Sequence, residues 1–339
     1  MGSIGKVATL ILTVGSFALL VWLAVERRRR RTHPVIGGAQ TDRHIENAHP
    51  LTLYANPFSH CSRKVALAAA EYKLNFVYQP IDLIETGSYE TISAAYLKIN
   101  PSGLLPTLLH EHVPVYESDD ILTYMEDLSL NLSLYPDDDA GHTEMKKWIA
   151  FCSLSSADPM ADQETKAGAC VPALTMPIFA TMVSEVPFRR ILLGLLFHPD
   201  KKRPVFFAVA KLLGLRGIMK LIPLRDFVRA SRDNMQRHLM TLEKALTATP
   251  GPWMLNAEFT MADITIGVVY YRLDETGWLD YFQNQTPMPA LSRHYENLKA
   301  RPSWKVALED RQLDIIARGS ERLKFAVEND AGVRAALYG

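Results

Sequence analysis

The 339-residue chain sets 37 lysines and arginines against 37 aspartates and glutamates, so it lacks the basic surplus that a sequence-blind nucleic-acid binder needs, and no nucleic-acid partner is expected. Apolar residues make up 48% of it and charged residues 22%, which suits sizeable cores in two domains, or in one domain with appendages. The three cysteines, Cys61, Cys152 and Cys170, are odd in number and widely spaced. This argues against a disulfide framework and a zinc site, and fits a reducing compartment.

The first element is Val7 to Val25, "VATLILTVGSFALLVWLAV", which carries no charge. As a helix it would extend roughly 29 Å, close to the hydrocarbon thickness of a bilayer. Glu26 and the five arginines Arg27 to Arg31 follow it, and only Lys6 precedes it. A cleaved signal peptide carries its basic residues in front. The order here predicts an uncleaved single-pass anchor over 1–31, with the remaining chain on the cytosolic side. Residues 32–50 hold two prolines and a Gly-Gly pair without an apolar period. They read as a coil tether that would set the folded part on the order of 25 Å from the membrane.

Next come a strand at 51–55, a helix at 62–72 and a strand at 76–83. A helix at 89–99 is stopped by "NPSG", and two short strands meet around Glu111 and His112. A third helix, "SDDILTYMEDL", closes a βαβαββα unit over 51–130. From 140 to 310 the periods are helical, including "HTEMKKWIAFCSLSSADPM". In "FTMADI" Thr260 and Asp263 form a capping box with Phe259 and Ile264 at the staple positions, so Asp263 is expected to be structural. The fold class is α+β: a small α/β domain, then an all-helical one, preceded by a transmembrane helix and ended by a tail at 311–339.

Taken together, the motifs resemble the glutathione transferase superfamily. "NPSGLLPTL" is similar to its NP-x-G-x-VPTL loop, with Pro106 at the cis-proline position. "YESDDILTYMEDL" and "FTMADI" are similar to its glutamate-serine step and its helical capping box. The resemblance implies a thioredoxin-like N-terminal domain, an all-α C-terminal domain, a homodimer, and glutathione as co-substrate with no metal. Leu105, Pro106, Glu117 and Ser118 would hold glutathione. Within the superfamily, "LYANPFSHCSRKVAL" is similar to the zeta class and to the ganglioside-induced differentiation-associated proteins. The latter sit in the mitochondrial outer membrane by a C-terminal anchor, whereas the apolar run here is N-terminal.

Conjugation needs the tripeptide thiol as a thiolate, and a thiol of pKa about 8.5 is mostly protonated at neutral pH. A hydroxyl at a helix N-terminus favours the anion. Ser59 matches the family's catalytic serine; the bland alternative is that Ser59 or Ser62 only caps the helix. Cys61 is the rival catalytic residue, through a mixed disulfide with glutathione. Tyr54 and His60 are read as packing or surface residues. The insertion 185–224, apolar and basic with Asp200 as the one acid of 188–224, is expected either to lie on an anionic membrane or to line a greasy pocket for a hydrophobic small molecule or lipid. The leading function is a glutathione transferase at the mitochondrial outer membrane or endoplasmic reticulum. The competing one is a non-catalytic lipophilic-ligand binder or membrane-dynamics adaptor.

Overall fold

The computed structural model describes residues 3–129, 131–154 and 159–339. It opens with helix α1 (Ser3–Arg29). Among the described residues this is the one helix long and apolar enough to cross a membrane, and its apolar stretch is exposed.

The α/β unit is a five-stranded sheet of β1 (Gly38–Ala39), β2 (Leu51–Ala55), β3 (Val77–Pro80), β4 (Thr107–His110) and β5 (Val113–Tyr116), ordered β1-β5-β4-β2-β3. Only β2 and β3 run parallel, and helix α2 (His60–Glu71) makes the crossover between them. Alternation is suppressed in β2 because both faces are covered. Leu53 and Ala55 are fully buried, against an α2 face of Val65, Leu67, Ala68 and Ala69. A 3-10 turn (Glu90–Ile92) and α3 (Ala94–Ile99), capped by Ser93, occupy the expected 89–99 helix. Helix α4 (Ser118–Leu128) follows β5.

The segment expected as a coil tether departs from that reading. Gly38 and Ala39 pair with Tyr116 and Val115 of β5, Ile45 N–H donates to His112 O (2.9 Å), and His33 N–H donates to Pro101 O (2.8 Å). The physical reason is the edge of β5. Its unpaired main-chain groups are a template for another strand, and two residues free of bulky side chains supply it. The base of α1 therefore touches the fold. The rings of Trp22 and Phe197 meet edge-on at 5.9 Å, and the Arg30 guanidinium stacks over Phe197.

The helical unit comprises α5 (Asp139–Cys152), α6 (Pro159–Asp162), α7 (Ala167–Met182), α8 (Phe188–Phe197), α9 (Lys202–Ile218), α10 (Ile222–Ala248), α11 (Met261–Glu275), α12 (Trp278–Gln285), α13 (Pro289–Lys299), α14 (Pro302–Trp304) with a π turn over Lys305–Glu309, α15 (Asp314–Asn329) and α16 (Ala331–Tyr338). Part of the expected helix at 142–160, namely 155–158, lies outside the described residues. Helix α7 is apolar on all sides and is buried on all sides. The capping box is present: Asp263 accepts from Thr260 N–H (2.8 Å), and also from Met254 N–H and His294 Nε2, each at 2.8 Å.

The insertion forms α8 and α9. Phe207, Ala210 and Ile218 are buried against the helical unit, and Gly214, at φ 64° and ψ 179°, breaks α9. The opposite side keeps Leu192, Leu196, Leu212 and Leu213 exposed. The tail is folded too: Ile316, Leu323, Val333 and Leu337 are buried, and Arg229 donates to Ala335 O and Ala336 O.

Candidate active site

Asn56 and Pro57 follow β2, and the chain turns abruptly into α2. Ser59 is the N-cap of that helix, its Oγ accepting from Ser62 N–H (3.3 Å). Ser62, the other cap candidate, instead accepts from Asn56 N–H with its own Oγ (3.3 Å). A capping oxygen spends a lone pair and not its proton, so capping leaves the Ser59 O–H available as a donor.

Buried charge holds this turn in place. Arg63 from α2 grips Glu275 of α11 with two bonds, at 2.6 and 3.0 Å, and Arg272 reaches the same carboxylate at 2.8 Å. Arg63 Nε also donates to Pro57 O (2.6 Å), and Arg272 Nη2 donates to Phe58 O. All three side chains are nearly inaccessible to solvent. Burial pushes the Glu275 carboxyl up, but Arg63 and Arg272 outweigh it and hold it below the usual range. One carboxylate between two guanidiniums leaves a net positive charge under the helix start. His60 registers the field. Burial first, then Arg272, Lys64 and Arg63, drive its imidazole well below its ordinary pKa. The part of this shift that comes from Arg272, Lys64 and Arg63 favours an anion nearby, whereas the larger part, burial, disfavours either charge. Sequence reasoning missed this trio. Its signal was Arg272 and Glu275, three apart at the end of the largely apolar stretch "ITIGVVYYRLDE".

The Cys61 thiol lies beside Ser59 in the same turn. Burial pushes it up, and Lys64 and a hydrogen bond with Ser118 offset this only in part, so it is the protonated form that is favoured. Cys152 and Cys170 are buried, and burial pushes their thiols up as well.

Across the cleft, the Leu105–Pro106 bond is cis, as the resemblance implies for Pro106. Among the described residues nothing hydrogen-bonds the main chain of Leu105, which is left open to an extended peptide. Glu117 has φ 62° and ψ 129°, a conformation that side-chain-bearing residues rarely adopt. Strain of this kind collects where a ligand is held. Glu117 opens α4 without a side-chain cap, so the first N–H groups of that helix remain free for a carboxylate. Glu117, Asp119 and Asp120 gather at the start of this helix. Burial, then Asp120 and Asp119, push the Glu117 carboxyl up, with Lys64 opposing. Lys64 itself is tied to Asp119 and to Ser153 Oγ (3.1 Å).

One cleft of about 910 Å³ is lined by Ser59, Cys61, Leu105, Pro106, Glu117 and Ser118. The six residues that the sequence singled out are thus brought together. Tyr54, in the sheet, is not among the lining residues. No group of three or more potential metal ligands occurs among the described residues.

Comparison with known proteins adds the decisive observation. Residues 58–128 match the family model for the glutathione S-transferase N-terminal domain, and residues 225–297 match that for the C-terminal domain. The chain belongs to the glutathione S-transferase superfamily. It is 22% identical to glutathione S-transferase Z1 of Arabidopsis thaliana over 265 residues, spanning 78% of this chain and 94% of that one. It is 23% identical over 282 residues to protein LigF of Sphingobium, spanning 80% and 100%. The crystal structure of the beta-etherase LigF superimposes with a TM-score of 0.61 at 21% identity, covering 77% of this transferase-family chain and all of that one, which is a likeness of fold. The finer kinship with the ganglioside-induced differentiation-associated proteins is not among what these matches support. The insertion 188–224 falls between the two matched stretches of the superfamily member.

Proposed function

We propose that the chain binds glutathione in this cleft and conjugates it to a hydrophobic electrophile. The observation that carries the reading is the single cleft where Ser59 at a helix start, the main chain at Leu105, and the strained Glu117–Ser118 step face one another. The γ-glutamyl carboxylate would sit on the free N–H groups of α4 beside the Ser118 hydroxyl, its ammonium against Glu117. The cysteinyl part would pair with the main chain of Leu105. Ser59 would donate its O–H to the sulfur, and the cationic ground beneath α2 would help hold the negative charge. The thiol proton leaves to solvent through the open cleft. The sulfur pair then forms the S–C bond, while the electrophile's displaced pair departs with a leaving group or moves onto an acceptor atom. Ser59 is preferred to Cys61 as the catalytic group because burial keeps the Cys61 thiol protonated. Ser59→Ala should lower conjugation of a model aryl halide by about tenfold, roughly 1.4 kcal/mol. An unchanged rate, with glutathione binding intact, would remove Ser59 from the mechanism.

We further propose that α1 anchors the protein, with the folded part facing the cytosol at the mitochondrial outer membrane or endoplasmic reticulum; a homodimer belongs to the same proposal. Support comes from the length and exposure of α1 and from Arg27–Arg31 behind it. The full chain should stay in the pellet after alkaline carbonate extraction of membranes. Deletion of residues 1–31 should release it; release of the full chain would overturn the anchor. The second reading, a non-catalytic lipophilic binder or adaptor, is favoured by one observation, the exposed apolar side of α8 and α9 with Lys211 and Arg216 on α9.

A further inference from the structure

The cleft continues beyond Ser59 toward the loop that carries Glu85 and Tyr89 and toward the turn joining α8 to α9. One of the two sequence-based readings of the insertion has it line a greasy pocket. The apolar lining here, Phe58, Phe179, Val171 and Leu83, comes from outside the insertion, which contributes His198, Pro199, Asp200 and Arg203. Among the described residues, four that line the cleft hold buried side-chain polar atoms without a partner, His60, Arg272, Glu85 and Tyr89, and the last two belong to the loop after β3. Glu85 is 1% exposed; its Oε1 takes Arg203 Nη2 of α9 at 2.5 Å, while its Oε2 has no hydrogen bond. Tyr89 is 4% exposed and its hydroxyl has no partner. The insertion fixes both. Arg203 orients the carboxylate, and α8 presses on the Tyr89 ring so closely that a Cβ on Gly194 would lie 2.2 Å from Tyr89 Cε2. A buried polar atom left unpaired is costly, so such a pair is retained where a ligand completes it.

We propose that Glu85 Oε2 and the Tyr89 hydroxyl form a receptor for one neutral hydroxyl group on an aromatic second substrate, a phenol, which donates to the carboxylate and accepts from the tyrosine. Charge decides the class. An anion would face the Glu85 carboxylate, and a cation would face Arg203 and Arg272, which line the same cleft. A hydroxyl supplies, from a single atom, both the donor and the acceptor that are missing. The aromatic part follows from Phe58 and Phe179, whose rings meet edge-on at 5.6 Å. Burial raises the Tyr89 phenol well above its usual range, so it stays a donor at neutral pH. The assignment of this group to a second substrate rests on the transferase reading; the hydroxyl receptor itself does not.

Equilibrium dialysis of the full chain in detergent, corrected against protein-free detergent, tests it with para-phenylphenol and biphenyl. The phenol should bind about tenfold more tightly or better. Tyr89→Phe, which keeps the ring against Gly194, should cut that preference severalfold while leaving the affinities for biphenyl and glutathione unchanged. Retained biphenyl binding reports that the variant is folded, and Glu85→Gln supplies an independent second variant. Equal affinities for the two probes, or a preference that survives both substitutions, would overturn the receptor. Glutathione is titrated separately. Its failure to bind alongside an intact hydroxyl preference would overturn the transferase reading and sustain the receptor.

Discussion

Glu275→Ala should be among the most damaging single substitutions in the chain. It leaves Arg63 and Arg272 buried with no carboxylate between them, and breaking a buried, hydrogen-bonded ion pair typically destabilises by about 3–5 kcal/mol. With two cations stranded the upper end is expected, which corresponds to a fall in melting temperature on the order of 10 °C. The damage reaches the site as well, because the same two arginines hold the carbonyls of Pro57 and Phe58 just before Ser59. The pH dependence has a definite sign. The Glu275 carboxyl lies below its ordinary 4.5 in the folded chain. Its contribution is therefore complete above that value and disappears as pH falls through the folded-state value. Glu275→Gln should flatten the acid limb of a stability–pH curve below about pH 4.5 relative to the parent. A parent and variant that lose stability in parallel under acid would show that the carboxylate is not under the arginines' hold.

Asp263→Ala should do comparable harm without touching the cleft. Asp263 is fully buried and accepts from the main chain at Met254 and Thr260, from the Thr260 hydroxyl and from His294. Removing the carboxylate strands at least two buried N–H groups and an imidazole, each worth about 1–3 kcal/mol. The start of α11 also loses its capping box. A loss of about 3–5 kcal/mol is expected by denaturant or thermal unfolding. Asp263→Asn should recover part of it, since an amide oxygen still accepts. A variant as stable as the parent would mean that α11 is fixed by its apolar packing alone.

The sequence was most readable where a local rule and the tertiary fold agree. The capping box at Thr260 and Asp263, the turn at Pro106 and the order of strands and helices each follow from residues close together in the chain. The cleft residues were readable by resemblance, since Ser59, Leu105 and Glu117 stand in similar motifs but are far apart in sequence. What stayed hidden was long-range. Gly38 and Ala39 lack any strand pattern, and they pair because β5 offers an edge. Arg63 and Glu275 are 212 positions apart, and nothing local distinguishes a buried arginine from a solvated one. The insertion was legible as apolar and basic. Its contact with the cleft, through Arg203 and Glu85, depends on how α9 crosses the loop after β3.

The proposed chemistry requires that this cleft take up glutathione and stabilise its thiolate. The most direct test is the ultraviolet absorbance of the thiolate, titrated against pH with the full chain in detergent. Bound glutathione should ionise at least about one unit below the ordinary thiol value of roughly 8.5, and Ser59→Ala should move it back toward that value. Saturable glutathione binding with no displacement of the thiol titration would contradict the activation, and no glutathione-dependent absorbance or binding at all would contradict the site.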